Sequence, residues 1–249
     1  MRLGSPFGSM PPVSKNLLII NVIVWLAIQI MPDTTVAKLL DICALHYFTS
    51  PDFNVAQLVT YMFVQRDFMH LFFNMFALYM FGLVIEQVLG SKRFLFYYLS
   101  CGIGAALIQM GVFAIMISHY SGLLPEGVTV GEIASVNVPQ GYMLHTGDYY
   151  VDSIWSLINT PIIGASGAVF GILLAFGFMF PKAPIYLYFI MPIQARWLVI
   201  GYAVIELLQG MSNNAGDNVA HFAHLGGMVF GLIILLYWKK KGVINNSYY

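Results

Sequence analysis

A serine, two histidines and an asparagine stand in apolar stretches of this chain, where lipid or a protein core would otherwise ask for hydrocarbon. Ser166 lies in Gly164-Ala165-Ser166-Gly167-Ala168-Val169-Phe170-Gly171. His224 lies in Ala220-His221-Phe222-Ala223-His224-Leu225-Gly226-Gly227, with Gly231 one turn on. His70 and Asn74 are spaced i, i+4 and share one helix face. A serine hydroxyl becomes a useful nucleophile when a base within hydrogen-bond reach takes its proton, and imidazole is suited to that work. The glycines supply the means of bringing the two together. Gly227 and Gly231 form a small-xxx-small face, Gly167 and Gly171 offer a matching one, and such faces let helices approach closely. His224 sits three residues before Gly227 and points along the same face. If the two faces pack, Ser166 and His224 meet near the end of the contact, and Phe170 lies beside the imidazole, where it can hold the ring plane.

Other readings of these residues stand beside that one. A serine that opens a helix is ordinarily an N-cap. Free N–H groups at a helix start can equally bind developing negative charge. The His70–Asn74 pair is a functional candidate because polar groups are costly within membrane spans, but such groups also glue helices together. His70, His221 and His224 would supply three imidazoles to a metal, yet the chain has no H-E-x-x-H sequence, and the reading is no metal and no cofactor. No acid presents itself to complete a triad. Asp217 is seven residues before His224, about 10 Å further along a helix. Glu206 is read as a hydrogen-bonding residue within the bundle. The expectation is therefore a Ser–His dyad.

The elements that must position these residues follow from composition. Of 249 residues, 59% are hydrophobic and 9% charged, and the net charge is zero. An ordinary soluble domain is about 25% charged. The absent basic surplus excludes a nucleic-acid partner. Cys43 and Cys101 are too few for a disulfide framework. What remains is an integral membrane protein, whose backbone groups must pair internally. Crossing hydrocarbon takes roughly 20 mainly apolar residues as a helix. Six segments approach that length: 17–31, 70–89, 94–118, 165–180, 197–208 with an apolar lead-in from 185, and 219–238. The first is expected to be a retained helix, because Met31-Pro32-Asp33 follows it in place of a small-residue cleavage site. Six spans put both termini on one side. Arg2, Lys15, Lys92, Arg93, Lys182, Arg196 and Lys239 to Lys241 then share that side, which the positive-inside rule makes the inner one. Asp33, Asp41, Asp52, Asp67, Glu126, Glu132, Asp148, Asp152 and Asp217 fall outside. Two long outer loops, about 32–60 and 119–163, complete the plan, and the first should carry short helices of its own.

The ordered set of motifs resembles the rhomboid family of intramembrane serine proteases. Gly164-Ala165-Ser166-Gly167 is similar to that family's G-x-S-G nucleophile motif, and Ala223-His224-Leu225-Gly226-Gly227 to its A-H-x-x-G base motif. His70 to Asn74 resembles its H-x-x-x-N, and Glu86 to Phe94 reads E-x-x-x-G-x-x-R-F, a structural signature of the family. The resemblance implies an all-α membrane protein, a six-transmembrane-helix bundle with cytoplasmic N- and C-termini. It implies a short N-terminal segment over 1–15, a protease domain over 16–240 and a tail over 241–249. It further implies cleavage of transmembrane protein substrates in or near the bilayer by Ser166 as nucleophile and His224, rather than His221, as base. The Ser166 backbone N–H, His70 and Asn74 would form the oxyanion hole, and Phe73 would face the route of substrate access. No cofactor is implied. The expected location is a bacterial cytoplasmic membrane, with the site open to the outer side. Two departures stand out: a longer 119–163 loop, and Gln65-Arg66 in place of the family's Trp-Arg pair. A non-catalytic relative that binds membrane clients, or a small-solute transporter, are the readings from other classes. The first would typically lack the serine or histidine, and the second would call for internal repeats, which are not seen.

Overall fold

The computed structural model describes residues 10–138, 142–187, 191–212 and 220–244. Arg2, Asp217, the start of the last expected span at 219 and the end of the C-terminal tail lie outside the described residues. The chain is mostly helical. Helix α1 covers Pro12–Ile30, and α2 (Asp33–Cys43) and α3 (Gln57–Thr60) lie in the first long loop. Helices α4 (Phe68–Ala77) and α5 (Leu83–Leu89) run on through a π-helical turn at Leu78–Gly82. Helix α6 is Ser91–Ser121, and α7 (Val130–Ser135) and α8 (Tyr149–Asn159) occupy the second long loop. Helices α9 (Ser166–Met179), α10 (Ala195–Ser212) and α11 (His221–Lys240) complete the bundle.

Four of these are long and apolar enough to cross a membrane: Pro12–Ile30, Phe68–Leu89, Ser91–Ser121 and His221–Lys240. Helix α9 is apolar but has only 14 residues, about 21 Å of rise against roughly 30 Å of hydrocarbon. The apolar lead-in expected before α10 is not helical. Strands β1 (Pro184–Leu187) and β2 (Met191–Gln194) pair antiparallel there, with Pro184 opposite Gln194 and Tyr186 opposite Pro192. Pro184 and Pro192 lack the N–H that a helix interior needs, so the segment folds back instead.

Helices α6, α9 and α11 form the centre of the molecule. Helix α9 is apolar all round and buried over most of its length, as a helix enclosed by others must be. Its glycines set the spacing. A methyl on Gly227 would run into the Gly167 carbonyl, and one on Gly171 would meet Cys101 Sγ at 2.5 Å. The expected Gly167–Gly227 contact is therefore present. Gly231 faces α6 instead, where a methyl would strike the Tyr97 hydroxyl. That hydroxyl donates to the Gly171 carbonyl at 2.8 Å and so ties α6 to α9.

The E-x-x-x-G-x-x-R-F signature has a visible task. Glu86 is 1% exposed and accepts hydrogen bonds from the Val13 N–H at 2.9 Å, the Ser14 N–H at 2.6 Å and the Ser91 hydroxyl at 2.6 Å. It satisfies N–H groups that the first turn of α1 cannot pair internally. It also fixes the start of α1 beside the α5–α6 junction, where Gly90 takes φ +76° to break the helix. Glu86→Ala orphans the buried Ser14 N–H, the half-buried Val13 N–H and a hydroxyl. The expected cost is about 2–3 kcal/mol, visible as a lowered thermal unfolding midpoint in detergent; an unchanged midpoint would contradict this role.

Candidate active site

The residues singled out by spacing converge. Ser166 is the first residue of α9, and its Oγ lies 2.7 Å from His224 Nε2 on α11. Phe170, one turn into α9, stacks on the His224 imidazole with ring centroids 4.3 Å apart and planes 4° from parallel. Phe170 is held in turn by Tyr202 of α10, edge to face at 6.0 Å. The close approach of Gly167 to Gly227 makes the 2.7 Å contact possible, because it draws α9 and α11 together next to both side chains.

The chain entering α9 is tethered on both sides. Leu45 and Ile162 exchange backbone hydrogen bonds at 2.9 and 2.8 Å, which joins this segment to the first long loop. The Gly164 N–H donates to the Tyr61 carbonyl at 3.0 Å. Gly164 has φ +122°, a conformation that side chains avoid, and a methyl there would come within 2.6 Å of His70 Nε2. The glycine of the G-x-S-G motif thus lets the His70 ring sit directly against the turn that carries Ser166. Ser166 opens its helix, so its backbone N–H belongs to the set that no intrahelical carbonyl can satisfy.

The orientation of His70 is set by the start of α4. The Arg66 backbone N–H donates to His70 Nδ1 at 3.2 Å. Nδ1 is therefore an acceptor, and the hydrogen of the neutral ring resides on Nε2, the atom facing Gly164. Asp67 caps the helix by accepting from the His70 N–H at 2.8 Å. That backbone bond, with Arg66 beside it, holds the Asp67 carboxyl below its ordinary range. Asn74, one turn on from His70, is buried, and its Nδ2 donates to Gln65 Oε1 at 2.9 Å. Gln65 Nε2 donates in turn to Asn21 Oδ1 on α1 at 2.8 Å. This chain of amides links α1 to α4, and no local pattern around Gln65-Arg66 signals it. Phe73 is exposed on the outside of α4 and packs edge to face on Phe72 at 5.5 Å.

Glu206 bonds across the bundle, as expected, and one of its partners is His224. It is 7% exposed, and its Oε2 lies 2.9 Å from His224 Nδ1 and 2.7 Å from His221 Nδ1. An acid does stand behind the imidazole after all. It comes from α10, and no local pattern links it to His224, 18 positions later in the chain. The metal-type cluster also differs from the three-imidazole set. Donor atoms of Glu206, His221 and His224 lie within 4.8 Å of one another, while His70 is not in the group. The contacts of Oε2 at 2.7 and 2.9 Å are hydrogen-bond distances.

A helical membrane-type bundle with a serine–imidazole contact at the start of a central short helix is a narrow structural class. The rhomboid domain model matches residues 52–241, and the chain belongs to the rhomboid family. It is similar to the mitochondrial RHOMBOID-like protein 12 of Arabidopsis thaliana, 30% identical over 179 residues covering 71% of this chain and 44% of that protein. It is also similar to the mitochondrial rhomboid protein 1 of Saccharomyces cerevisiae, 26% identical over 72% of this chain and 40% of that one. A third relative, an uncharacterised mitochondrial rhomboid protein of Schizosaccharomyces pombe, is 24% identical over 75% of this chain and 52% of its own. The chain thus spans about half or less of the length of these relatives. They overturn the expected bacterial cytoplasmic membrane, since all three are mitochondrial by name. The physical reason for the error is plain: sorted basic residues orient a bundle but do not say which membrane holds it.

Proposed function

We propose that this chain is an intramembrane serine endopeptidase that cleaves transmembrane protein substrates in or near the bilayer. The observation that carries the reading is the 2.7 Å contact between Ser166 Oγ and His224 Nε2. In this reading residues 16–240 form the protease domain. Helices α1, α4–α5, α6, α9, α10 and α11 are its six crossings, and both termini lie on the basic side. The names of the relatives point to a mitochondrial membrane, with that basic side inward. Helix α9 is too short to cross alone, so Ser166 lies below the outer surface in a cavity that water must reach.

Ser166 Oγ attacks the substrate carbonyl as His224 Nε2 takes its proton. The tetrahedral oxyanion is held by the Ser166 N–H, by His70 Nε2–H and by the amide hydrogen of Asn74 not given to Gln65. One such donor can be worth about 2.7–4 kcal/mol. His224 then passes the proton to the leaving amine as the C–N bond breaks. Water, giving a proton to His224, attacks the acyl carbonyl, and His224 returns that proton to Ser166 Oγ as the acyl C–O bond breaks. A helical peptide bond is shielded by its own hydrogen bonds and side chains, so substrates with helix-breaking residues near the cut are preferred. Phe73, exposed on α4, faces the route by which such a segment arrives.

Covalent labelling tests the reading most directly. A fluorophosphonate should modify Ser166 in the membrane-embedded protein and leave the other serines unmodified. Failure to label folded protein would favour a non-catalytic rhomboid that binds membrane clients.

A further inference from the structure

We infer that Glu206 is a positioning residue for the reaction, and that the site works as a Ser166–His224–Glu206 triad whose carboxylate is clamped by His221. This rests on the reading of Ser166 and His224 as nucleophile and base. An ionised carboxylate offers only acceptors. Its Oε2 lies 2.9 Å from His224 Nδ1, so that nitrogen carries the hydrogen. The lone pair of the neutral ring is then on Nε2, 2.7 Å from Ser166 Oγ, as a base requires. Phe170 stacking fixes the plane of the ring but cannot choose between its two tautomers. Glu206 makes that choice. It also faces the imidazolium that forms when His224 takes the Ser166 proton, in a site where both side chains are about nine-tenths buried and charges interact more strongly than in water.

His221 precedes His224 by one turn of α11 and presents its Nδ1 to the same oxygen at 2.7 Å, with the two rings at 88°. One carboxylate oxygen has two lone pairs and can accept both. Helix α11 thus offers two N–H groups to one atom of α10, which pins that atom where His224 needs it. Among the described residues, the titratable groups facing this centre are Glu206 of α10, His221 of α11 and His70 of α4.

A carboxylate that merely joined α10 to α11 would affect stability and leave the rate per folded molecule alone. The test is therefore kinetic. Cleavage of a transmembrane substrate in liposomes is measured for Glu206→Gln and Glu206→Asp, with rates referred to the folded fraction from thermal melts. Glu206→Gln should lower kcat by about 10²–10⁴-fold with KM little changed. Glu206→Asp keeps the charge at a longer reach and should recover part of the loss. Nitrogen-15 spectra of the parent protein should show His224 with its hydrogen on Nδ1. Parental kcat in folded Glu206→Gln overturns the inference. If that variant does not fold, parental kcat in Glu206→Asp together with an Nε2–H signal for His224 in the parent does so. Cleavage by Ser166→Ala would instead overturn the reading of the site itself, so the two failures are distinct.

Discussion

Replacing Ser166 by alanine should abolish cleavage of a transmembrane substrate reconstituted in liposomes while leaving the bundle folded. The substitution removes one oxygen from the first residue of α9 and, of the contacts between α9 and α11, only the one that oxygen makes. Its Oγ bonds His224 Nε2, and the packing of α9 against α11 is carried by Gly167 and Gly227. Fold and activity are therefore separable at this position. In soluble serine hydrolases the loss of such a nucleophile costs on the order of a million-fold in kcat. That is about 8 kcal/mol of transition-state stabilisation, and it would take the product below background. Product formed at a tenth of the parental rate by folded Ser166→Ala would move the nucleophile elsewhere.

The sequence carried more of the site than of its support. Ser166, His224 and Phe170 were legible because small-residue faces at helical spacing are local patterns, and the packing of Gly167 on Gly227 follows from them. The expected small face was half right. Gly231 serves α6 through Tyr97, since a central helix has more than one close neighbour and spacing alone does not say which. Glu206 is legible as a bonded residue of the bundle, but its partners are not. A buried acid in an apolar helix announces that it has partners, but its partners lie on another helix, and α10 and α11 are joined through residues that no pairing rule connects. The partners of Gln65 are hidden likewise: a neutral amide just before a helix reads as a turn residue, and its role as a bridge from Asn21 to Asn74 exists only in three dimensions. The helices were placed within a few residues, because apolar length is a strong signal. The paired strands Pro184–Leu187 and Met191–Gln194 show in the sequence only as an apolar lead-in, because hydropathy carries no information on strand pairing.

The two histidines at the start of α11 should separate sharply. His224→Ala is expected to abolish cleavage, with a loss comparable to that of Ser166→Ala, since a nucleophile and its base act as a unit and either deletion costs nearly the whole effect. His221→Ala should retain cleavage, at a rate lowered by the loosened carboxylate and far above that of His224→Ala. The His221 ring touches Glu206 at 2.7 Å and lies 6.3 Å from the His224 ring, centroid to centroid, with His224 standing between Glu206 and Ser166. Removing it loosens the carboxylate without removing a group that moves a proton. Liposome cleavage assays on the two variants, with the folded fraction measured alongside, decide the matter. Activity surviving in His224→Ala and lost in folded His221→Ala would transfer the base to His221, and would require α11 to turn by most of a revolution relative to α9 to bring that ring to Ser166.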